Sequence, residues 1–224
     1  MKPPTEWAEE IQREIHALVK INTPSLRSIR RRVSHDLRDA APDYVMAVAQ
    51  EFLGHPGLRF VAYELILDHP QAFRTLDAAK LEQLGQGMNS WWTVDDFART
   101  LAGPAWLAGL IADEAIRKWA CSPDRWWRRA ALVSTVALNM RSKGGEGDVP
   151  RTLAICRLLV DDHDDMVAKA MSWALRQLVV HDPGTVRRFL SENESQLAAR
   201  VKRELRNKLS TGLKNPGRRS RPPS

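Results

Sequence analysis

The sequence predicts an all-α fold, and three observations carry that prediction. Apolar residues recur at three- and four-residue intervals along nearly the whole chain. No segment alternates apolar and polar residues as a half-buried strand would, and Val, Ile and Tyr are not gathered between turns. Caps, prolines and glycines punctuate the chain at helix-length intervals. The pattern predicts helices over 5–20, 24–37, 43–54, 57–68, 77–87, 90–102, 104–120, 123–141, 149–160, 165–180, 183–191 and 194–210. Thr23-Pro24, Ser122-Pro123 and Asp182-Pro183 each set a capping oxygen before a proline at the first helical position. Gly54, Gly87 and Gly103 read as stops. The longest break, Ser142 to Asp148, reads as a flexible loop within one domain. Short helices with brief turns, paired at roughly forty residues, point to stacked helical hairpins. A compact bundle is the alternative. One domain is expected over 1–210, followed by a basic, Pro/Arg-rich, disordered tail over 211–224.

The 224 residues suffice for one well-buried domain, and an apolar content of 43% supports a packed core. No run of eighteen apolar residues occurs and the first ten residues are charged, so no membrane span or export signal is expected. Cys121 and Cys156 form no CxxC pair, which suggests free, buried thiols in a reducing cytoplasm. The net charge of +7 lies entirely in residues 201–224, with eight Lys/Arg against Glu204, while residues 1–200 balance at 26 basic and 26 acidic. Net charge is therefore poor evidence for a nucleic-acid partner. Local clusters matter more: Arg27, Arg30, Arg31, Arg32 and Arg38, and then Arg125, Arg128 and Arg129.

The tryptophans carry more. Advancing 100° per residue along 90–102 puts Val94, Phe97, Ala98 and Leu101 on an apolar stripe, with Trp91 at its edge as a core residue. Trp92, Asp96 and Arg99 fall on the opposite face, so an aromatic plate stands one turn from a carboxylate. On 165–180, Val167, Ala170, Met171, Ala174 and Leu178 face inward. Trp173 points outward between Lys169 and Arg176, either as a phosphate-and-sugar surface or as a cation–π decorated solvent face. Helix 123–141 sets Arg129 within the apolar face of Leu132, Val133, Val136 and Met140. A guanidinium there has to snorkel to a groove edge or pair with an acid such as Asp96. Trp92, Arg129 and Trp173 are separated by 37 and 44 residues, close to one helical-repeat period each, which predicts one shared face and a single groove.

Other signals are weaker. Asp161, Asp162, His163, Asp164 and Asp165 have no second histidine at ligand spacing and fit a capped helix start better than a metal site. No metal is expected. His16, His35, His55, His69 and His181 are scattered, and no histidine frames either cysteine as a nucleophile. There is no Gly-rich phosphate loop, and no cofactor is expected.

Four stretches in order resemble the AlkD-type DNA alkylation-repair glycosylase family. They are Thr23-Pro24-x-x-Arg27, Ser90-Trp91-Trp92-Thr-Val-Asp95-Asp96, Asp124-Arg-Trp126-Trp-Arg128-Arg129-Ala-Ala-Leu, and Ala168-Lys-Ala-Met-Ser-Trp173-Ala-Leu-Arg176. Asp182-Pro183 and Val186-x-x-Phe189 follow, so the resemblance runs from about residue 21 to 210. It implies a right-handed α-solenoid of HEAT-like hairpins whose concave groove holds duplex DNA. It also implies excision of cationic alkylpurines such as 3-methyladenine and 7-methylguanine without base flipping. On that reading Asp96 is the catalytic carboxylate, chosen over Asp95 because it shares the face of Trp92. Trp92 and Trp173 are aromatic plates against the sugar and backbone. Arg129 is a phosphate contact, and Arg128, Lys169, Arg176, Arg99, Arg27 and Arg31 are further DNA-binding candidates. Only one helix precedes Thr23, where larger members of the family carry two. The partner is alkylated duplex DNA and the protein is expected to be a monomer. Two alternatives keep the fold without the chemistry: a non-catalytic DNA-binding module and a protein-interaction scaffold.

Overall fold

The computed structural model describes residues 2–20 and 23–216, and every regular element among them is helical. The chain divides into two compact units, Met1–Ala112 and Asp113–Ser224.

The first unit contains α1 (Pro4–His16), α2 (Thr23–Asp36), α3 (Pro42–Leu53), α4 (Arg59–Asp68), α5 (Pro70–Arg74), α6 (Ala78–Gly85), α7 (Trp91–Phe97) and α8 (Gly103–Leu107). Alternate helices pack on one another, α1 on α3 and α3 on α5 in one layer, α2 on α4 and α4 on α7 in the other. This is how stacked helical hairpins bury their apolar stripes. Helix α4 is buried nearly all round, through Val61, Ala62, Tyr63, Leu65 and Ile66. Its first residue, Arg59, is buried too and is satisfied by the Tyr63 hydroxyl (3.0 Å) and the carbonyls of Leu84 (3.2 Å) and Gln86 (2.6 Å). Helix α5 escaped the periodicity reading because five residues are too few to show a repeat. It exists because buried His69 caps it, its Nδ1 accepting from the Ala72 amide (3.1 Å) while Nε2 donates to the Ala40 carbonyl (3.1 Å).

The expected helix over 90–102 does not stop at Gly103. That residue is right-handed (φ −62°), and the chain passes through a π-helical segment, Ala98–Ala102, into α8. Pro104 explains the wide turn. It has no N–H for the Thr100 carbonyl and its ring crowds that oxygen, so the Gly103 amide reaches back five residues to the Ala98 carbonyl. The true stop is Gly109 (φ +73°). There the Leu110 amide bonds to the Ala105 carbonyl and the Gly109 amide to that of Trp106, a Schellman closure. The single helix expected over 104–120 is therefore two.

The second unit contains α9 (Asp113–Ala120), α10 (Arg125–Leu138), α11 (Val149–Leu158), α12 (Asp165–Leu178), α13 (Pro183–Glu192) and α14 (Ala199–Thr211). Helices α10, α12 and α14 pack in succession, with α9 against α11 beside them. Ser122-Pro123 does not start α10. Asp124 does, its carboxylate accepting from the Trp126 amide (2.9 Å), while Ser122 Oγ accepts one step earlier from the Asp124 amide (3.2 Å). Asp182-Pro183 caps α13 as expected, through the Thr185 amide (2.8 Å). The cap expected of the Thr23 side chain lies outside what is described. Helix α14 begins at Ala199 rather than 194. Cys156 is buried, which pushes its thiol up to about 12, but Cys121 is exposed, contrary to expectation.

The segment 142–148 is wired rather than loose. Buried Asn139 donates to Thr135 O and Thr152 Oγ1 (both 2.9 Å), accepts from the Asp148 amide (3.0 Å), and its carbonyl accepts from His181 Nε2 (2.9 Å). Gly145 lies so close to α10 that a Cβ there would sit 2.2 Å from the Ala137 carbonyl. Of the expected tail, residues 217–224 lie outside the described residues, whereas Lys214 turns back, its carbonyl accepting from Asn207 Nδ2 (3.0 Å).

Candidate functional site

In the first unit the site is built on α7. Ser90 caps the helix, and Ser90 and Thr93 form a reciprocal capping box that fixes where the helix starts. Thr93, Val94 and Phe97 are then buried, and the two residues between cap and core are left outside: Trp91 is 56% exposed and Trp92 40%. Trp91 is not the core residue its angular position suggested. It stands in the first turn, exposed beside Trp92. Two aromatic–carboxylate pairs therefore exist one turn apart, Trp92 with Asp96 as expected and Trp91 with Asp95.

The carboxylates differ in setting. Asp96 is half-buried, and burial is the main reason that its pKa is pushed up to about 6; Arg99 opposes that rise, while Glu64 and Asp95 add to it. Arg99, placed by the sequence on the Asp96 face, is thus its near cation. Glu64 was not legible in the sequence, because its influence depends on how α4 lies against α7. The next residue back, buried Tyr63, makes an edge contact with the Phe97 ring at 5.6 Å between centroids, and that contact fixes the juxtaposition. Burial raises the Tyr63 hydroxyl as well; Arg59 works against this and Asp96 adds to it.

The remaining candidates fall into distinct environments. On α2, Arg27 and Arg31 are exposed one turn apart, whereas Arg30 turns inward to Glu64 and Asp68. In the second unit Arg129 is only 5% exposed, and its Nη1 donates to the Met166 carbonyl (2.5 Å), tying α10 to the first turn of α12. Arg128 bonds to Asp162 (2.7 Å) and to the carbonyls of Ser122 (3.1 Å) and Pro123 (2.8 Å). Trp173 is partly exposed on α12, and Lys169 pairs with Asp165 (2.6 Å). Arg176 faces inward, its Nε 3.2 Å from Ser172 Oγ and 3.8 Å from Glu204. Glu204 is 2% exposed and also collects Arg200, Arg203 and Lys214, so part of the C-terminal positive charge offsets one buried carboxylate. Trp92, Asp96 and Arg99 thus belong to one helical stretch of the first unit, while Arg129 and Trp173 lie on packed neighbours in the second.

The acids at 161–165 act structurally. Asp164 caps α12 through the amides of Met166 (2.8 Å) and Val167 (3.3 Å), and Asp162 accepts from the Asp164 amide (2.9 Å). Among the described residues no group of three His, Cys, Asp or Glu side chains is placed to hold a metal ion. No helix among them is long and apolar enough to cross a membrane.

Residues 8–209 match the family model described as DNA alkylation repair enzyme. The chain belongs to the DNA alkylation repair enzyme family. No curated protein matches it. Membership in this family gives the chain a DNA alkylation repair role with DNA as substrate. It covers all four stretches on which the resemblance was argued.

Proposed function

We propose that this DNA alkylation repair enzyme is a glycosylase that releases cationic alkylpurines, 3-methyladenine and 7-methylguanine among them, from duplex DNA without base flipping. The observation that carries the reading is a half-buried carboxylate, Asp96, one turn from the exposed Trp92. A cationic purine is already a good leaving group. When the bond from the base nitrogen to C1′ breaks, its electron pair leaves with the now neutral base and positive charge develops on the sugar. The Asp96 carboxylate, above the pH at which it ionises, stabilises that charge; water then attacks C1′ and loses a proton to the carboxylate or to solvent. The face of Trp92 attracts the same cation through its quadrupole, and in the second unit Trp173 is an aromatic candidate for contact with the DNA backbone. Arg27 and Arg31 supply exposed cations for phosphates, and Arg129 serves by fixing α12, which carries Trp173.

The test is to incubate the protein with methylated duplex DNA and quantify free 3-methyladenine and 7-methylguanine. Release above the spontaneous rate supports the reading. Salt-sensitive DNA binding without release would overturn it in favour of a binding module, and no DNA binding would point to a protein-interaction scaffold.

A further inference from the structure

Arg30 lies on the inner side of α2, where the resemblance and the mechanism assign it no part. Its Nε is 2.6 Å from Glu64 Oε2 on α4, and both atoms are buried. The N–H is not aligned on the oxygen, so this is an ion contact rather than a hydrogen bond. The other arm of the guanidinium reaches Asp68, which also accepts from Ser34 Oγ (3.2 Å). One arginine thus clamps two carboxylates of α4. Glu64 adjoins Tyr63, whose ring touches Phe97, which adjoins Asp96, so the clamped carboxylate and the candidate catalytic one belong to neighbouring turns of packed helices.

We propose that Arg30 is a positioning residue for the reaction: by holding and neutralising Glu64 it limits the negative charge that surrounds Asp96. The inference rests on the glycosylase reading. The charged and titratable groups that bear on Asp96 are Glu64 and the Tyr63 hydroxyl from α4, and Asp95 and Arg99 from its own helical stretch. Of these, Glu64 has its counter-charge in Arg30 on another helix. Removing Arg30 leaves a bare carboxylate near a group already short of solvent, and a second negative charge there disfavours ionisation of Asp96. Removing Glu64 has the opposite effect. Removing both takes away one positive and one negative charge, so the opposite effects of the two single changes largely cancel.

The experiment is a side-chain carboxylate NMR titration of Asp96 in the full chain, with base release against pH measured on the same proteins. Arg30→Met moves the Asp96 midpoint up by about half a pH unit or more, and Glu64→Gln moves it down by a similar amount. The double variant lies between the single variants, near the wild type, and Arg30→Lys, which keeps the charge, stays near the wild type too. Asp68→Asn leaves the midpoint unchanged, which separates the path through Glu64 from mere loosening of α2 on α4. The acidic limb of base release follows the same order, so near the midpoint Arg30→Met releases base about twofold more slowly than the wild type. An unchanged midpoint in Arg30→Met, or equal shifts in Asp68→Asn and Arg30→Met, overturns the inference while leaving the glycosylase reading intact. Midpoints that move as stated while release ignores them uphold the coupling and count against Asp96 as the catalytic group. Should Arg30→Met fail to fold, Arg30→Gln is read in its place by the same criterion: an upward shift of the midpoint upholds the proposal, and no shift overturns it.

Discussion

At neutral pH Asp96 must be ionised to act on a sugar cation, yet burial disfavours its charge, and the two demands meet in a group that titrates near 6. The folded-state value lies above that of the unfolded chain, so the protein is most stable with Asp96 protonated. That advantage is complete below about pH 4 and is lost as the pH rises through about 6. Asp96→Asn is therefore expected to stabilise the protein at pH 8 by up to roughly 2–3 kcal/mol, with the gain vanishing below about pH 4. Urea denaturation at several pH values checks this, and a variant less stable than the wild type at pH 8 would refute it. Asp96 itself was legible because Trp92 and Asp96 share a helical face. Trp91 is exposed although its angular position is at the edge of the apolar stripe, because periodicity reports which way a side chain points and says nothing of whether another element covers it. Arg128 and Arg176 were equally opaque as to partners. Arg128 is engaged by Asp162, and Arg176 by Glu204 as well as by Ser172 one turn back; the pairings with Asp162 and Glu204, far apart in sequence, belong to tertiary structure.

Elements were legible wherever an apolar stripe ran for three turns, as in α12, which buries the whole predicted face; α10 is instead buried all round from Arg129 to Leu138, and Met140, expected on its apolar face, lies beyond the helix and is half-buried. Their ends were less so. Gly103 and Gly109 look alike in sequence, but Pro104 decides between them by forcing a π turn that carries the helix past the first glycine to a left-handed stop at the second. The loop at 142–148 holds a close packing contact at Gly145 that the sequence does not announce, because glycines signal flexibility and close packing equally well. Gly109 and Gly145 should respond differently to alanine. At Gly109 nothing lies within 4 Å of an added Cβ, so only the left-handed backbone objects, at about 1–2 kcal/mol, and asparagine should recover part of the loss. At Gly145 the Cβ meets the Ala137 carbonyl, and the loss should exceed that at Gly109 and resist rescue by asparagine. Thermal unfolding of the four variants checks the ordering, and equal losses for the two alanine variants would contradict it.

For the whole chain, a net charge of +7 says little about where DNA is held, because part of the C-terminal excess is turned toward Glu204. Arg27 and Arg31 are the exposed pair on α2 and should meet phosphates. Replacing both with alanine is expected to flatten the slope of log affinity against log salt by about 2, alike for damaged and undamaged duplex. An unchanged slope would place the DNA elsewhere. The all-α class and the hairpin stacking could be read from the sequence because local periodicity encodes them. The charge surrounding Asp96 could not, since it depends on α2, α4 and α7 lying side by side.

The central claim is that Asp96 drives base release, and the most direct measurement is single-turnover release of 7-methylguanine by the wild type and by Asp96→Asn, with DNA affinity measured alongside. Release should fall by about two to three orders of magnitude while affinity stays near that of the wild type. Undiminished release by Asp96→Asn would contradict the account, and if Asp95→Asn then abolished release, the chemistry would pass to the Trp91–Asp95 pair.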